Sequence, residues 1–235
     1  MEQKEPTLVT DGSAITKTGL VHRVLVPEAA APHPTVVMLH GRFGNEDVMW
    51  VFARTLPSNW LIIAPRAIVP EQGGYSWHPF GPEWPQLSNF DEAVTAVSHF
   101  IYALPEQYHA DPEQIYLMGF SQGAAAAFAT AMHYPGIVQG IAGLVGFMPN
   151  SNKNMLQSTP LKDLPVLLLI GEQDEFVPLE ISRKSSEAIR AAGAQLEYHE
   201  YNTGHKLNGD GMRKLKSWWA EFSSGELEQG ERLGD

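Results

Sequence analysis

Ile115-Tyr116-Leu117-Met118-Gly119-Phe120-Ser121-Gln122-Gly123-Ala124-Ala125-Ala126-Ala127 is the stretch whose reading decides the fold. A short apolar run leads straight into Gly-x-Ser-x-Gly, and a run of alanines follows. Buried strand, glycine-flanked serine and small-residue helix together are the context in which a nucleophile elbow forms. The chain must reverse within a few residues, which leaves Ser121 in a strained backbone conformation with its hydroxyl exposed. Side chains at 119 and 123 would collide with the neighbouring strand and helix. The alanines let that helix lie close to the sheet, and its N-terminus turns free N–H groups toward the reacting oxygen. A turn that happens to carry serine between glycines accounts for the motif, but not for the strand before it and the helix after it.

Outward from this stretch, apolar segments recur between turn residues. Residues 35–39, 60–64, 115–119 and 166–170 are short, continuous and aliphatic, as strands buried on both faces are. Residues 21–26 alternate enough for a strand near an edge, 138–145 form a glycine-rich candidate, and 195–201 read as a later, more polar strand near the edge. Helical patterns lie between them. Phe90, Val94, Val97, Ile101 and Leu104 mark one face of a helix, with Ser88 and Asp91 as its expected N-terminal cap. Residues 45–56, 122–133, 179–192 and 211–222 read similarly. Strand and helix in alternation imply a mostly parallel sheet with helices on both faces, in which functional groups gather at the carboxyl ends of the strands.

The chain has 235 residues, enough for one large α/β domain and short for two. One domain over residues 1–222 is expected, with 223–235 as a flexible acidic tail. With 43% hydrophobic and 18% charged residues the composition is that of a globular domain. A formal net charge of -11 argues against nucleic acid or an anionic membrane as partner, since both require clustered Lys and Arg. The absence of cysteine excludes disulfides, thiolate metal sites and cysteine nucleophiles. Neither an apolar secretory segment at the N-terminus nor a run of about 18 apolar residues is found, so a cytoplasmic chain without a membrane span is expected. Monomer and homodimer both stay open.

A serine hydroxyl needs an adjacent base, and where such an elbow occurs the order along the chain is serine, acid, histidine. The loop after strand 166–170 is Gly171-Glu172-Gln173-Asp174-Glu175-Phe176-Val177-Pro178, in which Glu172, Asp174 and Glu175 compete as the orienting acid. After strand 195–201 comes Asn202-Thr203-Gly204-His205. His205 follows a strand, whereas His199 lies within one. Two backbone N–H donors are expected to face the developing oxyanion: Gln122, directly after the serine, and Arg42, in the loop His40-Gly41-Arg42-Phe43-Gly44. His40 is expected to bond within that loop. No second histidine stands at ligand spacing from it, so no metal and no cofactor is expected.

Four blocks carry a resemblance: Leu39-His40-Gly41-Arg42-Phe43-Gly44, Gly119-Phe120-Ser121-Gln122-Gly123-Ala124, Gly171-x-x-Asp174-x-x-Val177-Pro178 and Gly204-His205. Their order and spacing resemble the phospholipase/carboxylesterase family, which includes the acyl-protein thioesterases. The resemblance implies a compact α/β-hydrolase fold without a large lid domain. It implies Ser121, Asp174 and His205 as triad, Arg42 and Gln122 as oxyanion donors, and a small-molecule substrate, a short- to medium-chain acyl ester or thioester. The chain departs from the family's frequent His-Gly-Leu-Gly-Asp loop, where it has Arg42-Phe43-Gly44-Asn45-Glu46, and it matches the Ser-Trp segment only in part.

Tyr75, Trp77, Phe80 and Trp84 crowd a Gly- and Pro-containing loop without regular periodicity. They serve either as an acyl or aryl wall or as anchors of the loop to the core. Phe147, after a strand, and Phe176, after the acid, are placed to close the same pocket. Arg42 and Arg66 are candidate contacts for a substrate carboxylate or plain surface residues. The competing functions are a lysophospholipase, dienelactone-type hydrolase or peptidase on the same scaffold, and a ligand-binding protein without catalysis. A receptor has no need of all three triad residues.

Overall fold

In the computed structural model, which describes residues 5–79 and 81–230, eight strands build the central sheet. They are β1 (Thr7–Val9), β2 (His22–Leu25), β3 (His33–Leu39), β4 (Leu61–Pro65), β7 (Ala110–Phe120), β8 (Ile141–Leu144), β9 (Pro165–Gly171) and β10 (Gln195–Tyr201). A separate hairpin pairs β5 (Val69–Glu71) with β6 (Gly74–Ser76). The strand order is β1-β2-β4-β3-β7-β8-β9-β10. β2 is antiparallel to both of its neighbours, and every pairing from β4 across to β10 is parallel.

The continuous aliphatic strands are continuous because each face of the sheet has its own core. Val37, Leu39, Leu61, Ile63 and Leu117 point to one face, where they pack with Phe100, Phe128 and Ile189. Val36, Met38, Ile62, Met118 and Leu169 point to the other, against Phe52, Trp218 and Trp219. The first face is covered by helices α2 (Asp91–Tyr108), α3 (Gln122–His133) and α5 (Leu179–Ala191), with α1 (Gly12–Thr18) lying on α2. The second is covered by α6 (Gly209–Gly230) and a 3-10 helix over Val48–Thr55. A short α4 (Lys153–Gln157) lies between β8 and β9. The α/β-hydrolase architecture is therefore present, and among the described residues no separate lid domain stands over the sheet.

Several local expectations change. Within the expected helix 45–56 only Val48–Thr55 is helical, and it is a 3-10 helix, not an α-helix: Met49, Phe52 and Thr55 are buried at a spacing of three, which matches three residues per turn. Ser88 does not cap the long helix. It lies inside a 3-10 turn, Leu87–Phe90, and the reciprocal cap is made by Gln86 and Asn89 one step earlier. The strand expected near an edge at 21–26 is indeed next to it: β2 (His22–Leu25) has only β1 outside it. The last helix continues to Gly230, past the start of the expected tail, and residues 231–235 lie outside the described residues.

Parallel register brings the loops that matter to one edge. Leu39 stands opposite Gly119, Phe120 opposite Leu144, Leu144 opposite Leu169, and Gly171 opposite Tyr201. The segments beginning at His40, Ser121, Val145, Glu172 and Asn202 thus leave the sheet side by side, at the carboxyl ends of their strands.

Candidate active site

Ser121 sits between β7 and α3 with φ 52 and ψ -117, a positive-φ conformation that side-chain-bearing residues avoid. The flanking glycines make this turn sterically feasible. A Cβ at Gly119 would meet the backbone nitrogen of Ala124 and the oxygen of Gly123, each at 2.4 Å. One at Gly123 would stand 2.1 Å from the Leu39 carbonyl oxygen. The elbow is pinned to the neighbouring strand by the Ser121 N–H, which donates to the Leu144 carbonyl at 2.9 Å.

Across the same edge, Nδ1 of His205 donates to Oδ2 of Asp174 at 2.7 Å. The Asp174 side chain is only 2% exposed. Its second oxygen accepts the backbone N–H groups of Phe176 and Val177, at 2.8 and 2.9 Å. The competitors Glu172 and Glu175 are exposed. The His205 ring is held edge-on by two aromatics, Phe120 and Phe176, each with its centroid 5.1 Å away. His199 instead bonds to Glu197 on the outer strand, away from the cleft.

Ser121, Gln122 and His205 open onto one cleft of about 440 Å³, whose walls include Arg42, Phe43, His78, Trp84, Phe120, Phe147 and Phe176. Phe147 is buried and stacks obliquely on Trp84 at 4.5 Å, while Phe176 is 65% exposed at the mouth. Arg42 follows Gly41 in the loop after β3, and its guanidinium lies over the Phe43 ring. Gln122 is the first residue of α3, where a backbone N–H has no helical acceptor.

Two of the expected wall residues are elsewhere. Trp77 is fully buried behind the cleft and does not line it, and its indole N–H donates to the His40 carbonyl. Tyr75 also stays off the wall: its ring lies under the Arg66 guanidinium and its hydroxyl accepts from Arg66. Arg66 is committed in turn to a two-pronged ion pair with buried Glu46, at 2.7 and 2.6 Å, which holds the Glu46 carboxyl below its usual range. Its guanidinium is thus engaged within the protein, and it is not among the residues that line the cleft. Phe80 lies outside the described residues.

Of the loop aromatics considered for the wall, Trp84 does line the cleft, and Phe120 and His78, which were not expected there, line it too. Phe120 had a readable signal: in the strand it alternates against Gly119, so its ring leaves on the face toward His205. His40 bonds within its loop as expected. Nδ1–H donates to the Gly41 carbonyl and Nε2 accepts the Ala67 N–H, so both ring nitrogens are taken. Burial pushes its pKa down to about 4. Among the described residues no group of three or more His, Asp or Glu side chains converges to hold a metal ion, and no helix is long and apolar enough to cross a membrane.

The model of the phospholipase/carboxylesterase family matches residues 21–222. A probable SOBER1-like carboxylesterase of Arabidopsis thaliana is 31% identical over 46% of this chain and 42% of its own length. Acyl-protein thioesterase 1 of Schizosaccharomyces pombe is 26% identical over 73% of this chain and 82% of its own. The chain spans about half the length of the plant carboxylesterases it matches. Among solved structures, a carboxylesterase from Mesorhizobium loti superposes with a TM-score of 0.76 at 19% identity, over 92% of this chain and 99% of that one. That likeness speaks for the fold.

Proposed function

Since this chain belongs to the phospholipase/carboxylesterase family, we propose that it is a serine carboxylesterase or thioesterase which hydrolyses short- to medium-chain acyl or aryl esters through an acyl-enzyme on Ser121. The observation that carries the reading is the 2.7 Å bond from His205 Nδ1 to a buried Asp174, beside a serine in a strained elbow on the same cleft.

With Nδ1–H engaged by the carboxylate, the free Nε2 is the proton acceptor of the imidazole. The Ser121 hydroxyl attacks the substrate carbonyl and its proton passes to Nε2. Asp174 stabilises the imidazolium that results. The carbonyl oxygen, now negative, takes the backbone N–H groups of Gln122 and Arg42, aided by the N-terminal dipole of α3. His205 returns the proton to the leaving alkoxide or thiolate, leaving the acyl group on Ser121. A water activated by the same imidazole then releases the acid. The aromatic cleft supplies apolar surface for the acyl or aryl group, and its modest volume favours small and medium ones.

Turnover of p-nitrophenyl esters and acyl thioesters of graded chain length tests the reading, together with fluorophosphonate labelling. Ser121→Ala is expected to lose labelling and about 10⁴-fold or more in kcat while keeping its circular dichroism spectrum. Near-normal turnover in that folded variant rejects Ser121 as the nucleophile.

A further inference from the structure

The two sides of the oxyanion hole are joined behind the cleft by one tryptophan. Gln122, whose backbone N–H is one donor, accepts the Trp77 backbone N–H on its side-chain Oε1 at 2.8 Å. The same side chain donates from Nε2 to the His78 carbonyl at 3.1 Å. Trp77 then reaches to the other side: its indole N–H donates to the His40 carbonyl at 2.7 Å. His40 directly precedes Gly41 and Arg42, the loop that bears the second donor, and its ring lies against that of Trp77 at 5.4 Å.

Trp77, His40 and Gln122 are all buried, so these bonds are shielded from competition by water. Burial alone does not account for them. Trp60 and Trp219 are buried as deeply, yet their indole N–H groups make no hydrogen bond among the described residues. The fold tolerates orphaned indoles in the second core, whereas at Trp77 the group is aimed at the one carbonyl that precedes the oxyanion loop. That loop belongs to no helix or strand; the start of α3 packs directly on the Leu39 and His40 carbonyls at Gly123, and the Trp77 link adds a hydrogen-bonded connection between the two sides.

We propose that Trp77 is a positioning residue: as a strap between the Gln122 side chain and the His40 carbonyl, it sets the separation of the Arg42 and Gln122 backbone N–H groups. The inference rests on the hydrolytic reading of the site. Donors of this kind act on the transition state, and a misplacement of a fraction of an ångström weakens them there while leaving ground-state binding intact.

Trp77→Phe keeps most of the apolar ring and deletes the indole donor. It is expected to lower kcat for p-nitrophenyl butyrate by about 10- to 100-fold with KM within about twofold. Affinity for a trifluoromethyl ketone, which forms an oxyanion on the serine, should fall by the same factor as kcat/KM. Gln122→Met cuts the strap at its other end while retaining its own backbone N–H, and should reproduce this pattern; it carries the test if Trp77→Phe does not fold. The double variant should lose no more than the worse single one, because both changes sever one connection. An unchanged kcat in either folded variant, or a lowered melting temperature with ketone affinity preserved, overturns the strap. A wild-type protein that hydrolyses no ester and takes no fluorophosphonate rejects the hydrolase reading itself, a result distinct from an active wild type with an equally active Trp77→Phe.

Discussion

Asp174 divides its carboxylate between the imidazole of His205, through Oδ2 at 2.7 Å, and the backbone of its own loop, where Oδ1 takes the Phe176 and Val177 N–H groups. The acid is thus fixed by the turn it creates, and it presents one oxygen in a set direction. Glu172 and Glu175 in the same loop are exposed. Asp174→Asn preserves the turn, since the amide oxygen still accepts the two N–H groups, but it sets an NH₂ group against His205 Nδ1 and removes the charge that supports the imidazolium. A fall in kcat of about 10³- to 10⁴-fold is expected, with little change in melting temperature. Glu172→Gln and Glu175→Gln should each stay within about threefold of wild type. Steady-state kinetics on the three variants decide the matter; a severe effect at Glu172 would reassign the acid.

What could be read from the residues alone follows physical lines. Strands with both faces buried announce themselves as unbroken aliphatic runs, and 195–201 is legible as an outer strand because polar residues alternate there. The elbow is legible because its glycines are forced: a Cβ at Gly123 has nowhere to go. Trp77 was not legible. A tryptophan in a loop of glycines and prolines looks the same whether it faces a cleft or a core. Its decisive partner is the His40 carbonyl, a backbone atom 37 positions away, which leaves no trace in local pattern. The hairpin of β5 and β6 is invisible in the sequence because three-residue strands carry no period. The 3-10 helix at Val48–Thr55 reads as α in the sequence because apolar spacings of three and four are easily confused over eight residues.

Acid stability should depend on His40. Its folded-state pKa is lowered, chiefly by burial, to about 4, against about 6.5 in an unfolded chain. Between those values the unfolded state binds a proton that the native state refuses, so stability rises with pH across the window. The contribution is fully present above about pH 6.5 and is lost as pH falls toward about 4, amounting to about 3 kcal/mol. Buried His22, also lowered by burial, acts in the same sense, so the wild-type acid limb is shared. His40→Gln isolates one share: it keeps a donor and an acceptor but cannot titrate. Urea unfolding is expected to show the variant less stable than wild type at pH 7.5, with the gap shrinking steadily toward pH 5. A gap that stays constant over that range would show that protonation of His40 contributes nothing.

Phe147 and Phe176 both line the cleft, one buried and one exposed, and should fail differently. Phe147 is 6% exposed and packed on Trp84, so Phe147→Ala leaves a void continuous with the cleft. Longer acyl chains can then enter, and each additional buried methylene is worth about 0.8 kcal/mol. The optimum along a p-nitrophenyl ester series is expected to move to longer chains, with a fall in melting temperature because a core contact is lost. Phe176, at 65% exposure, contributes little to the core; its ring instead leans edge-on against His205 at the mouth. Phe176→Ala should therefore leave the melting temperature unchanged and lower kcat/KM by a similar factor for every chain length. Kinetics and thermal melts on both variants separate the roles. If Phe147→Ala left the chain-length optimum where it was, the acyl group would have to lie along another wall, and the prolines beside Trp84 would become the next residues to substitute.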